Sequence, residues 1–193
     1  VSDRVVDFYF DFSSPYSYLA ATQLPAIAAR HGATVRWRPV VLAAVFEAAG
    51  NRMPASSPPK AVWMLQDLRR WSAEYGVPFV MNARFPLNTI PAMRLVLVAE
   101  RHGKAEAVAL DLFRRTWALD QDPNAQLAEV AATAGLPEGA AALVQAPEVK
   151  AALKASTDEA IARGVFGAPA MFVGADLFWG NDRLHMVERA LAT

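Results

Sequence analysis

The residues best placed to do chemistry stand early in the chain, in Asp11-Phe12-Ser13-Ser14-Pro15-Tyr16-Ser17-Tyr18, where an apolar run breaks into a serine-rich turn ahead of a helical pattern. A strand end followed by proline at the first helical position leaves backbone N–H groups without partners. It also aims the positive end of a helix dipole at whatever lies beside Ser14. Such a terminus favours anions, and a thiolate is one. The 193 residues contain no cysteine, so thiol chemistry at this turn needs a thiol from outside. A free thiol with a pKa of about 8.5 moves down one unit for about 1.4 kcal/mol of preferential thiolate stabilisation, within reach of one hydroxyl and one helix terminus. Ser14 equally suits a plain role as helix N-cap, worth about 1 kcal/mol.

Two further stretches bear on the same chemistry. In Val165-Phe166-Gly167-Ala168-Pro169-Ala170 a proline stands just before a short strand pattern. A cis bond there turns the Ala168 backbone outward, free to pair with an extended, peptide-like ligand; a trans proline makes it an ordinary turn. In Trp179-Gly180-Asn181-Asp182-Arg183, at the entry to the last helix, Asn181 or Asp182 can be an N-cap. The same carboxylate beside exposed N–H groups also suits the paired α-amino and α-carboxylate charges of an amino-acid end.

The rest of the inventory is thin. His31 and His102 each precede a glycine near a helix end, and His185 lies in the last helix, so no metal-ligand spacing arises. No P-loop, Gly-x-Gly-x-x-Gly or Gly-x-Ser-x-Gly pattern is present, which leaves nucleotide binding and a serine-hydrolase triad without support. Lysine plus arginine balances aspartate plus glutamate at 19 each, which argues against nucleic acid or an anionic membrane as partner. Hydrophobic residues at 54% and charged residues at 20% describe a chain able to bury a core. No apolar run approaches the roughly 20 residues that span a bilayer. The absence of cysteine and of a secretory signal pattern is compatible with a cytoplasmic protein.

The elements that must position these residues follow from periodicity. Val5 to Phe10 reads as a strand, Pro15 to a stop at Gly32 as a helix with Pro25 inside it, and Thr34 to Pro39 as a second, half-buried strand. This is a right-handed β-α-β unit. From Leu42 to Gly164 only helical stripes occur: Met64, Leu68, Trp71 and Tyr75; Ala109, Leu112, Phe113 and Trp117; Val149, Leu153 and Ala160. Asn51 to Lys60, with three prolines, is expected to be irregular. A hairpin of Ala170 to Val173 and Leu177 to Trp179 and a helix through Leu184, Val187 and Leu191 close the chain. The expected class is α/β, a thioredoxin-like fold with an inserted all-helical domain: residues 1–42 and 165–193 form the first, 43–164 the second. Ser14 and Ser17 then stand where redox members of that fold carry Cys-x-x-Cys. Two alcohols form no disulfide, so dithiol oxidoreductase activity is excluded.

Together, Phe8 to Leu19, Gly50-Asn51, Asp67-Leu68-Arg69-Arg70, Val165 to Pro169 and Trp179 to Arg183 resemble the 2-hydroxychromene-2-carboxylate isomerases and the related kappa-class glutathione transferases, within the DsbA-like thioredoxin group. The resemblance runs the whole length. It implies glutathione as cofactor, with Ser14 stabilising its thiolate as a hydrogen-bond donor, the catalytic role in this chain. It further implies that Asn51 and the backbone at Ala168-Pro169 contact the tripeptide and that Trp179, Gly180, Asn181 and Asp182 hold its γ-glutamyl end. Lys60 is expected to reach a glutathione carboxylate.

The reaction implied interconverts 2-hydroxychromene-2-carboxylate and trans-o-hydroxybenzylidenepyruvate in aromatic catabolism. Its small aromatic, anionic substrate needs an apolar wall and a cation, for which Phe46, Phe85 and Arg84 are the candidates. The chain departs from the naphthalene-pathway enzymes in lacking a basic residue near Phe46 and an Asn-Arg pair near Ser56-Ser57. Glutathione binding is unaffected by those departures, while the substrate stays open. Alternatives are a kappa-like glutathione transferase or peroxidase acting on another electrophile, and a non-catalytic thioredoxin-like binding module. A homodimer is expected by the same resemblance.

Overall fold

The computed structural model describes residues 4–193. Its centre is a four-stranded sheet in the order β2-β1-β3-β4, formed by β1 (Val5–Phe10), β2 (Thr34–Pro39), β3 (Ala170–Val173) and β4 (Asp176–Trp179). β1 pairs β2 in parallel with Phe8 opposite Trp37, as the β-α-β reading requires. β3 runs antiparallel to β1, with Tyr9 opposite Ala170, and β4 antiparallel to β3. The hairpin turn is Gly174-Ala175, one residue tighter than the sequence reading, because Asp176 already pairs with Val173. Gly174, at φ 60°, supplies the positive φ that a two-residue hairpin loop demands.

β1 is central and buried on both faces, which explains its nearly unbroken apolar run. Val6, Phe8 and Phe10 face one core together with Met171, while Tyr9 faces a second with Ala170 and Phe172. α1 (Pro15–Arg30) covers the first face with α8 (Leu184–Leu191). α2 (Leu42–Ala48) and α7 (Pro147–Ala162) pack together at the second. Asp7 is the polar exception of β1; its carboxylate takes Arg163 at 2.8 Å and Arg36 at 3.1 Å.

The regular elements between β2 and β3 are all helical, adding α3 (Pro58–Tyr75), α4 (Ile90–Glu100), α5 (Ala105–Trp117) and α6 (Leu127–Thr133), with irregular chain over 77–89. Most of the anticipated stripe residues are buried, namely Met64 and Leu68 in α3, Ala109, Leu112, Phe113 and Trp117 in α5, and Val149, Leu153 and Ala160 in α7, while Trp71 and Tyr75 of α3 are half-buried. The proline segment is more regular than expected. Pro54–Ser56 makes a 3-10 turn and α3 opens at Pro58, because a proline in the first helical turn surrenders an N–H that has no partner there.

The first core crosses from sheet to helices without a break. Phe10, Phe12 and Phe113 form an aromatic chain with centroids 5.4 and 4.6 Å apart, and all three are buried. Burying each such side chain contributes about 1.5–3 kcal/mol. The end of β1 is thereby anchored to α5, and the turn that carries Ser14 starts from a fixed point.

Candidate active site

Ser14 is the N-cap of α1: its backbone is extended (φ −96°, ψ 110°) and its Oγ accepts the Ser17 amide at 3.1 Å. The same hydroxyl donates to the Ala168 carbonyl at 3.2 Å, 154 residues away. Capping and site-building are therefore one arrangement. Pro15 at the first helical position has no N–H, and among the described residues the Tyr16 amide makes no hydrogen bond, so one donor of the helix terminus remains for a ligand. The turn is fixed from below by the Trp117 indole, which donates to the Phe12 carbonyl at 2.8 Å.

Opposite Ser14, the Ala168–Pro169 peptide bond is cis. Among the described residues the Ala168 N–H has no partner, while its carbonyl takes the Ser14 hydroxyl. The Pro169 carbonyl accepts the Gly180 amide at 3.0 Å, which brings the start of β3 against the end of β4. Trp179 sits there, about half exposed, with its ring 5.0 Å from Phe166. A Cβ on Gly167 would stand 2.8 Å from the Trp179 Nε1, so the bare backbone at this position is what lets the indole lie over the loop.

Asn51 joins this group by donating from Nδ2 to the Phe166 carbonyl at 3.1 Å. Gly180 holds a positive φ of 100°, and a Cβ there would collide with the Asp182 carboxylate, which curls back over the turn. Asp182 Oδ2 accepts Arg183 Nη1 at 2.5 Å. The Asn181 side chain is 2% exposed and donates to the Tyr75 hydroxyl at 3.3 Å; the Tyr75 hydroxyl in turn donates to the Asn181 carbonyl at 2.9 Å. Asn181 thus fixes the turn instead of presenting its amide to solvent.

One pair had no signal of its own beyond the stretch around Asp67. The Tyr16 hydroxyl donates to Asp67 Oδ2 at 3.0 Å, tying the start of α1 to the middle of α3. Burial pushes the Tyr16 phenol well above its ordinary 10.0, helped by the Asp67 hydrogen bond and charge and then by Asp182. Asp67 touches the phenol directly, whereas Asp182 acts on it through charge alone. Nothing local marks such a pair in sequence, since its members are 51 residues apart.

Lys60 lies exposed in the first turn of α3, seven residues from Asp67 and so on the same face, about 10 Å along the axis. Phe46, on α2, is partly buried and packs on the same cluster as Ala168. Phe85 is half-buried with its ring 6.2 Å from Trp117, whose indole binds the Phe12 carbonyl. Arg84 is exposed and donates to the Asp120 carbonyl at 3.1 Å. Ser14, Asn51, Ala168, Pro169, Trp179 and Gly180 are therefore linked in one group, with Asp182 at its edge and Phe46 on the cluster that includes Ala168, while Phe85 packs against Trp117. Arg84 is turned to the surface.

Comparison with known proteins identifies the family. The DSBA-like thioredoxin domain matches residues 5–192. A 2-hydroxychromene-2-carboxylate isomerase of Sphingobium xenophagum is 38% identical, the match covering 97% of this chain and 98% of the relative. The enzyme of the same name from Pseudomonas putida is 34% identical, over 97% of this chain and 94% of the relative. Glutathione S-transferase kappa 1 of Rattus norvegicus is 26% identical, over 95% and 89%. Among solved structures, a 2-hydroxychromene-2-carboxylate isomerase superposes with a TM-score of 0.89 at 33% identity, covering 97% of this chain and 94% of that one. The chain belongs to the DSBA-like thioredoxin family and, within it, to the 2-hydroxychromene-2-carboxylate isomerases.

Proposed function

We propose that this chain is a glutathione-dependent isomerase that interconverts 2-hydroxychromene-2-carboxylate and trans-o-hydroxybenzylidenepyruvate. The observation that carries this reading is the Ser14–Ala168 pair, a hydroxyl at a helix N-terminus facing an outward-turned backbone in a chain without cysteine.

The residues fit the tripeptide. The Ala168 N–H, unpaired among the described residues, is a donor for an extended backbone, and the Asp182 and Asp67 carboxylates suit an ammonium group. Lys60 suits the far carboxylate, and the spacing of about 10 Å from Asp67 along α3 matches the length of an extended tripeptide. Asn51 and Trp179 flank the middle, next to Ser14.

When bound, glutathione would supply a thiolate, a nucleophile suited to reversible addition to a conjugated alkene and so to cis–trans isomerisation once the chromene ring is open. The chain's part is to bind and orient. The Ser14 hydroxyl rotates from the Ala168 carbonyl to donate to sulfur, and the N-terminus of α1 lends its dipole, both favouring the anion over the thiol. Phe46 and Phe85 supply apolar walls on either side, and Arg84, released from the Asp120 carbonyl, supplies a cation for the substrate carboxylate. Ser14 is not itself the nucleophile, since no base contacts its Oγ among the described residues.

A second reading, a kappa-like glutathione transferase or peroxidase, rests on the kappa-class relatives at 25–29% identity. The two readings share Ser14 and differ in the walls. Calorimetric titration with glutathione followed by absorbance assays with hydroxychromene carboxylate and with an aryl halide separates them: isomerisation without conjugation supports the first, the reverse supports the second. Absence of glutathione binding removes both. A cytoplasmic setting, where glutathione stays reduced, suits a borrowed thiol. A homodimer follows from the same reading, with the exposed Val62 and Trp63 of α3 as its apolar contribution.

A further inference from the structure

The Asp11 carboxylate is 4% exposed and accepts hydrogen bonds from three separate segments. Its Oδ1 takes the Ser13 amide at 2.9 Å and the Thr89 hydroxyl at 2.6 Å, and its Oδ2 takes the Leu42 amide at 3.0 Å. Its main-chain carbonyl takes the Ser14 amide at 3.0 Å. Each partner leads to a residue of the site. Ser13 precedes Ser14 in the turn. Leu42 opens α2, whose Phe46 lies one helical turn on, and Thr89 is the residue before α4, directly after the loop that carries Arg84 and Phe85.

The side-chain chemistry here is specific. All three partners are donors, and they approach both oxygens, so the position needs a group that accepts on both sides. Asparagine of the same shape turns an NH2 against a donor. A buried carboxylate is costly unless fully hydrogen-bonded, and here it is. Thr89, 3% exposed, has its hydroxyl committed to this contact.

We infer that Asp11 is a positioning residue for the isomerase reaction, one carboxylate that holds the Ser14 turn in register with the segments bearing Phe46 and Arg84-Phe85. This rests on the function proposed above. Its consequence is that the thiol-stabilising group and the substrate walls, which come from distant parts of the chain, move as one body. A misplacement of about 1 Å between them is enough to cost about a hundredfold in rate.

The test uses Thr89→Val, which deletes one donor at nearly constant shape, Thr89→Ser, which restores it, and Asp11→Asn. Glutathione affinity is measured by calorimetry, and kcat and KM with hydroxychromene carboxylate. The inference expects Thr89→Val to bind glutathione within about twofold of wild type while kcat falls about tenfold and KM for the aromatic substrate rises. Thr89→Ser recovers the wild-type values, and Asp11→Asn loses more, up to about a hundredfold. A merely structural role lowers the active fraction, so kcat and glutathione stoichiometry fall together at unchanged KM; that result, or wild-type kinetics in both Thr89→Val and Asp11→Asn, overturns the inference. Should Asp11→Asn fail to fold, the Thr89 pair decides. A wild-type protein that binds glutathione and does not turn over the substrate sinks the isomerase reading and the positioning role with it, whereas normal wild-type turnover with unaffected variants sinks only the positioning role.

Discussion

The Ser14 hydroxyl donates to the Ala168 carbonyl at 3.2 Å while accepting the Ser17 amide at 3.1 Å, so the cap of α1 and the backbone at the cis bond share one oxygen. The cap anchors the oxygen; the proton is the movable part. Replacing Ser14 by alanine removes both bonds and is expected to lower stability by about 1 kcal/mol, as loss of an N-cap does. Turnover at saturating glutathione falls about tenfold or more, since one charge-assisted hydrogen bond to the thiolate is lost. Ser14→Thr, which keeps the hydroxyl, retains more activity than Ser14→Ala. Chemical denaturation and steady-state assays of the pair check both statements.

Gly167→Ala tests the platform without removing a polar group. The added methyl meets the Trp179 indole at 2.8 Å, and because Trp179 is half exposed it is the side chain that gives way. Thermal stability is expected to change little. Glutathione affinity, read by calorimetry, is expected to fall by about tenfold as the indole leaves the loop.

Asp67→Asn and Asp182→Asn each remove one negative charge from the neighbourhood of Tyr16. Each is expected to weaken glutathione about tenfold, about 1.4 kcal/mol, while kcat at saturation stays near wild type, because the charge binds an end of the cofactor remote from sulfur. A reduced kcat with unchanged affinity contradicts this assignment.

All four tyrosines, Tyr9, Tyr16, Tyr18 and Tyr75, are held above their ordinary 10.0, in each case first by burial. Folding disfavours the phenolate. The folded protein therefore binds protons that the unfolded chain releases, so stability is fully retained below pH 10 and declines as pH rises past it. Absorbance titration of the native protein is expected to show no phenolate transition with a midpoint at or below 10. In denaturant the same residues titrate near 10. Tyr16→Phe removes part of the alkaline loss, which urea unfolding at successive pH values measures.

Much of the sheet was legible because its signals are local. Val5–Phe10 and Thr34–Pro39 emerge with the bounds that β-formers and flanking breakers set, and Pro15 and Gly32 mark α1 by the ordinary rules of helix ends. The proposed thiol site rests on absence as well as presence: serines stand in the place of cysteines, in a chain without any cysteine. Ser14, Asn51, Ala168 and Trp179 come together from four segments, and their common membership was carried by motif order, not by periodicity.

Other features were beyond sequence for a physical reason. Three prolines between Asn51 and Lys60 suggested irregular chain, yet proline is at home in a first helical turn, and α3 starts on two of them. Asn181, a candidate ligand contact by its neighbourhood, turns its amide to Tyr75, because a buried amide takes whatever partner tertiary packing provides. The Asp11–Thr89 bond spans 78 residues and leaves no trace in either segment's pattern.

The central claim is that Ser14 stabilises the thiolate of bound glutathione. Ultraviolet thiolate absorbance of the glutathione complex, followed against pH in wild type and Ser14→Ala, tests it most directly. The expected bound-thiol midpoint lies at least about one unit below the free value of about 8.5 in wild type and rises by about one unit in Ser14→Ala with glutathione still bound. A midpoint that stays at the free value in wild type, or is the same in both proteins, contradicts it.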